Sequence, residues 1–327
     1  MQIGYIRHIN TLSQINDLCL TKLNLSEVVV RAEDTLEVLK LKVKLATILG
    51  TAQATQTNFK YLNPIWQKNT EEEALLGVSL TGVMDHPILN DRLSFLKIDD
   101  TYWTLEEILV ELKSVAVKTN ELWATKFEIN QASAITCNKP SGTVSQLTNA
   151  ASGIHARHSE YYIRTVRADK KDPLAIMMKD VGFPVEDDVM KPTSGYVFSF
   201  PVKAPEGCVT RKDRSAIEQL ELWKVYQLHW CEHKPSITVS VKNEEWLDVG
   251  AWVYKNFDIM SGVSFLPMSE HTYQQAPYQD ITEQEYYDFL KKMPVNVDWS
   301  LLSKYEKEDT TIGMKEYACS SGQCEVL

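Results

Sequence analysis

Two long amphipathic segments constrain the fold of this chain more than any other feature of its sequence. Residues 35–54, TLEVLKLKVKLATILGTAQA, and residues 104–127, TLEEILVELKSVAVKTNELWATKF, repeat apolar side chains at helical spacing. Asp34 or Thr35 can cap the first of these segments. Helices with one apolar face must bury that face against another layer of structure.

Strand-like runs supply that second layer. The first is NLSEVVVR at residues 24–31, another covers residues 133–137, and the later ones are YYIRTVRA, GYVFSFPV, SITVSV and GVSFL. Further helices are predicted at 213–231 and 282–292, and one more is predicted to begin at Asn69 or Thr70, with the acidic run 71–73 in its first turn. We therefore expect an α/β or α+β enzyme domain.

Composition and charge narrow the class of protein. The chain has 327 residues, of which 44% are hydrophobic and 24% are charged, so a core can form without disulfide or metal support. A net charge of −10 argues against non-specific binding to nucleic acid, which needs basic side chains. No apolar run approaches a membrane span and the first residues lack a signal-peptide pattern, so we expect a cytoplasmic protein with mostly reduced thiols.

A hydroxyl-rich turn, CNKPSGTVSQL at residues 137–147, is the first candidate site. It lies between a predicted strand and a predicted short helix, where free backbone N–H groups favour an anion. Gly142 allows close approach of a ligand, and Ser141, Thr143 and Ser145 are expected to add hydroxyl donors. The pattern is not the complete phosphate-loop motif, so a plain strand–turn–helix junction without a ligand remains an alternative at this stage.

A pair of cysteines near the end of the chain is the second candidate site. Cys319 and Cys324 flank Ser320, Ser321 and Gly322 in the sequence CSSGQC. A flexible dithiol of this kind suits thiol–disulfide exchange with a buried disulfide, whereas a zinc site would need further ligands that are not nearby. Two idle exposed thiols are the alternative.

Several other polar residues have less specific interpretations. We predict no metal site in LHWCEH, because His229, Cys231 and His233 point in different directions on a helix. His155 is expected to have a structural hydrogen-bonding role, and so is His158. Cys137 and Cys208 are expected to be inert buried thiols, and the sequence leaves open whether Arg164 and Arg167 face phosphate or solvent.

Four segments together resemble a known family. They are KNTEEEALLGVSLTG, NKPSGTVSQLTNAASGIHARHSEYYIRTVRA, SGVSFLPMSEHTYQQAPYQDIT and CSSGQC, and they resemble the carboxy-terminal half of adenosylcobalamin-dependent (class II) ribonucleotide reductases. The resemblance is closest to the monomeric ribonucleoside-triphosphate reductases and runs from about Asn24 to Leu327. It implies the second half of the reductase α/β barrel, with a flexible C-terminal tail.

The resemblance also implies an activity. Enzymes of this family make deoxyribonucleotides for DNA replication, using adenosylcobalamin to generate a thiyl radical on a central finger loop. By resemblance, Ser141, Gly142, Thr143 and Val144 match the loop that holds the phosphates of a ribonucleoside triphosphate. Cys319 and Cys324 match the redox-active pair that passes electrons from a thioredoxin-like reductant. No metal ligand is implied in this chain.

The sequence departs from the family pattern in two places. No Asn-x-Cys-x-Glu motif of the finger loop occurs, and Leu23 stands where the family has a redox cysteine; Cys19 is four residues too early to replace it. We therefore expect residues 1–23 to be an atypical leader, residues 24–305 the second half-barrel with its surrounding helices, and residues 306–327 a mobile redox tail.

These departures lead us to expect that the chain alone does not reduce nucleotides. The amino-terminal half of the reductase would come from a partner chain or from a spliced product of an interrupted gene. A non-catalytic nucleotide-binding or assembly subunit is the alternative function, and a mis-started fragment of an interrupted gene is the other possibility.

Overall fold

The computed structural model describes residues 20–98, 100–268 and 274–306. The chain divides into two compact units. The parallel unit comprises the described residues up to Ala156 together with Gly207–Met268, and the antiparallel unit comprises Arg157–Glu206 together with the described residues 274–306. The sequence predicted one segment, 24–305, where the structure has two units.

The secondary structure of the described residues mixes helices and strands throughout. The helices are α1 (Leu36–Ala54), α2 (Pro64–Glu73), α3 (Leu105–Phe127), α4 (Thr143–Leu147), α5 (Pro173–Asp180), α6 (Ala216–His229), α7 (Trp246–Lys255), α8 (Glu283–Leu290) and α9 (Leu302–Tyr305). The strands are β1 (Asn24–Val29), β2 (Leu76–Thr81), β3 (Leu96–Ile98), β4 (Thr101–Trp103), β5 (Thr136–Cys137), β6 (Tyr161–Asp169), β7 (Val185–Asp187), β8 (Gly195–Lys203), β9 (Ile237–Val241), β10 (Val263–Pro267) and β11 (Tyr278–Asp280).

Parallel strands organise the parallel unit. β1 pairs with β2 and β2 with β5, while β9 pairs with β10, and every one of these pairings is parallel. A parallel bridge between Asn138, directly after β5, and Pro235, two residues before β9, links the two groups. The resulting order, β1-β2-β5-β9-β10, is open: in the described part of the chain β1 and β10 each have a strand on one side only.

Helices α1 and α3 cover one face of this sheet, as their sequence pattern requires. Thr104 caps α3 with a capping box, and Thr35 caps α1 through the backbone N–H of Val38. Their inward residues belong to a core with the strand residues between them. Its fully or almost fully buried members include Leu39, Val43, Leu76, Val78, Leu80, Ile108, Leu109 and Leu112.

The antiparallel unit contains a four-stranded sheet in the order β11-β6-β8-β7. β6 and β8 pair over nine residues, from Tyr161 opposite Lys203 to Asp169 opposite Gly195. Helices α5, α8 and α9 complete this unit. The predicted mixture of helices and buried strands is thereby confirmed, but barrel closure is not part of what the described sheets show.

The prediction of a helix beginning at Asn69 or Thr70 is wrong. Helix α2 begins at Pro64, capped by Asn63, so the acidic run 71–73 forms its last turn. The helix ends at Glu73, its C-cap residue Ala74 has a φ of 45°, and β2 begins two residues later. All six residues of β2 are buried, and a strand buried on both faces lacks the alternating pattern that would distinguish it from a helix.

Most other predicted elements are confirmed to within a few residues. These include β1, α1, α3, β6, β8, α6, β9, β10 and α8. Within the described part of the chain, no helix combines the length and the apolar character that a membrane crossing would require.

Candidate functional site

The hydroxyl-rich turn lies where the carboxyl ends of the parallel strands meet. It follows β5 directly and leads into the five-residue helix α4. The Asn138 side chain donates from Nδ2 to the carbonyl oxygen of Leu80 in β2, at 3.0 Å, and so ties the start of the turn to the neighbouring strand. In open parallel sheets, ligands bind outside the carboxyl ends of the strands, so the position favours a binding role.

Three serines hold the turn together through hydrogen bonds to one another. Ser141 Oγ accepts the backbone N–H of Ser145 at 3.0 Å, and Ser145 Oγ donates to the Ser141 carbonyl at 2.8 Å. Ser152 closes the turn from the other side, because its Oγ accepts the N–H of Ser141 at 2.8 Å and donates to the Ser141 carbonyl at 2.9 Å. Ser141 and Ser145 are both buried. Both hydroxyls thus make hydrogen bonds inside the turn, the Ser145 hydroxyl as a donor and the Ser141 hydroxyl as an acceptor, and the expectation that they bind a ligand stays a prediction.

The exposed part of the turn is its backbone between the two buried serines. Gly142 and Thr143 are exposed, and Val144 is 37% exposed. Gly142 stands at the N-cap position of α4 without a side-chain cap. The N–H groups of this stretch and the Thr143 hydroxyl are therefore what the turn can offer an anion.

The segment after α4 makes the turn rigid. Gly153 has a φ of +54°, and a Cβ at this position would lie 2.6 Å from the carbonyl oxygen of Lys139, so only glycine fits here. The Gly153 N–H donates to Thr81 Oγ1 at 2.9 Å, and Thr81 Oγ1 donates to the Ala151 carbonyl at 3.0 Å. The Ala151 N–H donates to Asp85 Oδ2 at 2.8 Å. Thr81, at the end of β2, and Asp85 thus hold the segment after α4 in place.

Lys139 does not face the exposed backbone with a free ammonium group. Its Nζ lies 2.6 Å from Glu27 Oε2 of β1, and its backbone N–H donates to Ser79 Oγ of β2 at 3.0 Å. Sequence reasoning missed Glu27 and Ser79, because only the register of β1, β2 and β5 brings them to the turn. An acidic residue directly before the apolar run Val28-Val29-Val30 was the signal that was available for Glu27.

His155 has the structural role that the sequence predicted. Its Nδ1 lies 2.9 Å from the Ser152 carbonyl, and its Nε2 accepts the N–H of Thr238 at 3.0 Å. Burial lowers the pKa of His155, and these two backbone partners fix the neutral tautomer with the proton on Nδ1. His158 lies in the other unit, where its Nε2 is 2.8 Å from Asp280 Oδ1.

The described cysteines, Cys137, Cys208 and Cys231, form no disulfide with one another, and all three are buried. Burial raises the pKa of the Cys137 thiol to about 12 and raises that of Cys231 well above its ordinary value, so burial favours the unreactive protonated thiol at both positions. A Cβ at Gly77 would lie 3.3 Å from Cys137 Sγ and 3.6 Å from Leu23 Cδ1, so thiol and leucine lie against the same glycine. Cys319 and Cys324 lie outside the described residues.

The remaining polar candidates have protein partners. His233 Nε2 lies 2.6 Å from the carbonyl oxygen of Leu76. Arg164 donates to the Pro277 carbonyl at 3.2 Å, and Arg167 donates to the Gln275 carbonyl at 3.0 Å. These arginines therefore hold the segment before β11. The sequence had left open whether they face phosphate or solvent, and it did not predict these backbone partners. Among residues 20–98, 100–268 and 274–306, no group of three or more His, Cys, Asp or Glu side chains is arranged to hold a metal ion.

Comparison with known proteins identifies the relatives of this chain. No protein-family model matches it. A curated adenosylcobalamin-dependent ribonucleoside-triphosphate reductase of Euglena gracilis is 31% identical over 199 residues, which cover 60% of this chain and 27% of the relative. The enzyme of the same name from Lactobacillus acidophilus is 21% identical over 304 residues, covering 87% of this chain and 41% of the relative.

A solved structure agrees with these relatives. The crystal structure of a B12-dependent class II ribonucleotide reductase superimposes with a TM-score of 0.71 at 21% identity, over 88% of this chain and 42% of the solved one. The fold of this chain is therefore that of part of a class II ribonucleotide reductase. Its homologues are adenosylcobalamin-dependent ribonucleoside-triphosphate reductases, and the chain spans less than half the length of each of these relatives.

Proposed function

We propose that this chain supplies the substrate-phosphate turn and the dithiol shuttle of an adenosylcobalamin-dependent ribonucleoside-triphosphate reductase. The observation that carries the proposal is the turn itself. The backbone of Gly142, Thr143 and Val144 is exposed at the carboxyl edge of a parallel sheet, while Ser141 and Ser145 hold it in one conformation. A preformed set of N–H groups binds phosphate oxygens without a large ordering cost.

The phosphate proposal can be tested on the chain by itself. Thr143→Asp places a carboxylate beside the exposed N–H groups, and we expect it to weaken the binding of a ribonucleoside triphosphate by at least about tenfold, because like charges repel. Leu147→Asp is the matched control, since Leu147 is exposed at the other end of the same short helix. Equal affinity in the two variants would contradict a phosphate site at Gly142–Val144.

The dithiol proposal concerns Cys319 and Cys324. These thiols would be reduced by a thioredoxin-like protein and would then reduce a disulfide formed at the substrate, so that two electrons pass per nucleotide. In a mixture that contains the missing amino-terminal half, we expect Cys319→Ser with Cys324→Ser to abolish turnover driven by thioredoxin and to leave turnover driven by a small dithiol. Loss of both activities would contradict a shuttle role.

The residues present do not fit the whole reaction. When bound, adenosylcobalamin would supply the radical. A cysteine thiol must take up that radical, and the sequence lacks the Asn-x-Cys-x-Glu motif that carries this cysteine in the family. Cys137, Cys208 and Cys231 are buried in this structure, and Leu23 cannot form a disulfide. We infer that the finger loop and the second redox cysteine come from another polypeptide or from a spliced product.

The open sheet supports a missing polypeptide. In the part of the chain that the structure describes, β1 has no strand on its outer side, and a groove of about 360 Å³ runs between β1 and α1, lined by Leu25, Ser26, Glu27, Ala46, Leu49, Ala52, Gln53 and Gln56. Helix α1 also exposes Leu41, Leu45 and Leu49. Unpaired strand edges and exposed apolar side chains are typical of an interface, and we propose that they contact the amino-terminal half of the reductase.

A reductase assay tests the complete proposal. The chain is mixed with adenosylcobalamin, a ribonucleoside triphosphate and a dithiol, with and without the polypeptide encoded immediately upstream. We expect deoxyribonucleotide only in the mixture with that polypeptide. Turnover by the chain alone would contradict the inferred need for a second component, and triphosphate binding without turnover in any mixture would favour a non-catalytic nucleotide-binding subunit.

A further inference from the structure

The ion pair between Glu27 and Lys139 connects the first strand of the sheet to the phosphate turn. Lys139 Nζ lies 2.6 Å from Glu27 Oε2, and the two side chains are 22% and 9% exposed. Lys139 lies in the first part of the turn, two residues before Ser141. An ion pair that is this far from solvent is screened only weakly by salt, so it persists under physiological conditions.

The backbone of Lys139 is held as firmly as its side chain. Its N–H donates to Ser79 Oγ at 3.0 Å, and its carbonyl oxygen packs against Gly153, where a Cβ would approach to 2.6 Å. β2 and the segment after α4 therefore fix the main chain, while β1 fixes the ammonium group. Three separate segments converge on the residue that sets the direction in which the chain enters the turn.

Glu27 depends on this lysine in return. Its second oxygen, Oε1, is buried and has no hydrogen-bond partner within the described residues. A buried carboxylate with one unsatisfied oxygen needs the charge of its partner, since an unpaired buried charge is costly. The ion pair is thus a mutual constraint between β1 and the turn, and neither residue tolerates loss of the other.

We propose that Glu27 and Lys139 are positioning residues for the phosphate turn and that Lys139 is not itself a phosphate ligand. The proposal rests on the phosphate-binding function proposed for the turn. A lysine beside a phosphate-binding backbone is the expected ligand by type, but here its Nζ is already bound to Glu27. The ion pair instead holds the turn in place while Gly142, Thr143 and Val144 present their N–H groups.

The two roles give opposite results in Glu27→Gln. If Lys139 bound phosphate directly, removing Glu27 would release its ammonium group and tighten the binding of inorganic tripolyphosphate. A positioning role predicts the reverse, a loss of about tenfold. It also predicts hydrogen exchange that is faster by about tenfold at the amides of residues 141–145 that are hydrogen-bonded in the turn, those of Ser141 and Ser145. We expect Lys139→Met to have the same effects and Lys139→Arg to restore most of the wild-type behaviour.

Two controls separate positioning from general stability. Lys42→Met breaks a comparable ion pair, between α1 and Asp34, which is also 2.6 Å long and has side chains 31% and 6% exposed. It should lower stability without accelerating exchange at residues 141–145 beyond the global change. The double variant Glu27→Gln with Lys139→Met removes both charges, so its stability should recover while exchange in the turn stays fast.

The outcomes are distinguishable from failure of the proposed function. If the wild-type chain does not bind tripolyphosphate, the phosphate proposal fails, but exchange at residues 141–145 still decides whether the ion pair positions the turn. Exchange in Lys139→Met that merely follows global stability, as in Lys42→Met, would overturn the inference. Tighter tripolyphosphate binding by Glu27→Gln would overturn it as well.

Discussion

The two compact units of this chain give their histidines different partners. In the parallel unit, His86, His155 and His233 have backbone partners, and burial lowers the pKa of all three. In the antiparallel unit, His158 Nε2 lies 2.8 Å from the carboxylate of Asp280. Ion pairs occur in both units, and the one in the antiparallel unit joins Arg167 Nε to the buried Asp188 at 3.3 Å. A neutral backbone partner makes no demand on the charge of a histidine, whereas each member of an ion pair depends on the other.

The largest expected effect tests the core of the parallel unit. Trp230 is completely buried, and its indole N–H donates to the Cys137 carbonyl at 2.9 Å. We expect Trp230→Ala to lower the free energy of unfolding of this unit by about 3 to 5 kcal/mol, because it leaves a large cavity beneath β5. Urea unfolding followed by tryptophan fluorescence measures the loss, and a change below about 1 kcal/mol would show that the site collapses freely.

The second prediction tests the charged pair of the antiparallel unit. Asp188 is buried, and besides Arg167 it accepts the N–H of Met190 at 2.8 Å. We expect Asp188→Ala to lower the free energy of unfolding by about 2 to 3 kcal/mol, because hydrogen bonds to a charged group are lost and a guanidinium loses its partner. Arg167→Met combined with Asp188→Ala should recover part of the loss; no recovery would mean that the pair is not coupled.

The third prediction concerns pH and applies to the parallel unit. A buried histidine whose pKa is lowered on folding binds fewer protons when folded than when unfolded, so it favours the folded state above about pH 6.5 and this advantage is lost as the pH falls. As the pH falls from the unfolded pKa to the lower folded pKa, each such histidine lowers the free energy of unfolding by about 1.4 kcal/mol per pH unit. His155→Gln should reduce the slope between pH 7 and pH 5.5, and an unchanged slope would contradict the assignment.

The smallest expected effect concerns the helix caps, whose contributions to stability we expect to be equal in the two units. Ser215 caps α6 in the parallel unit and Thr282 caps α8 in the antiparallel unit, each within a capping box. We expect Ser215→Ala and Thr282→Ala each to cost about 1 kcal/mol, because a cap is a local interaction that does not depend on how the rest of the unit is built. Thermal unfolding of both variants provides the comparison, and a threefold difference would show that the caps are not local.

Sequence reasoning succeeded where a residue's role depends on its close neighbours in the chain. Helices α1 and α3 could be predicted because their caps and their apolar spacing are local, and the position of the turn after β5 could be predicted for the same reason. β2 was mistaken for a helix because burial on both faces removes its periodicity.

Reasoning failed for the polar atoms of the site because their partners are distant in sequence. Ser141 could not be recognised as internal support without Ser152, and Lys139 could not be separated from a phosphate ligand without Glu27, which is 112 residues away. The resemblance to the reductases gave the position of the turn, but not which of its atoms are free.

The glycine at position 77 has a consequence for anyone who repairs this chain. Leu23 and Cys137 both lie against Gly77, but on opposite sides of β2. Asn24 pairs with Leu76 and Cys137 pairs with Ser79, so the register separates position 23 from Cys137 by a whole strand and about four residues along it, which is too far for a disulfide. A cysteine restored at position 23 therefore leaves the Cys137 thiol alone, and mass spectrometry of Leu23→Cys under mild oxidation should find no crosslink between the two positions.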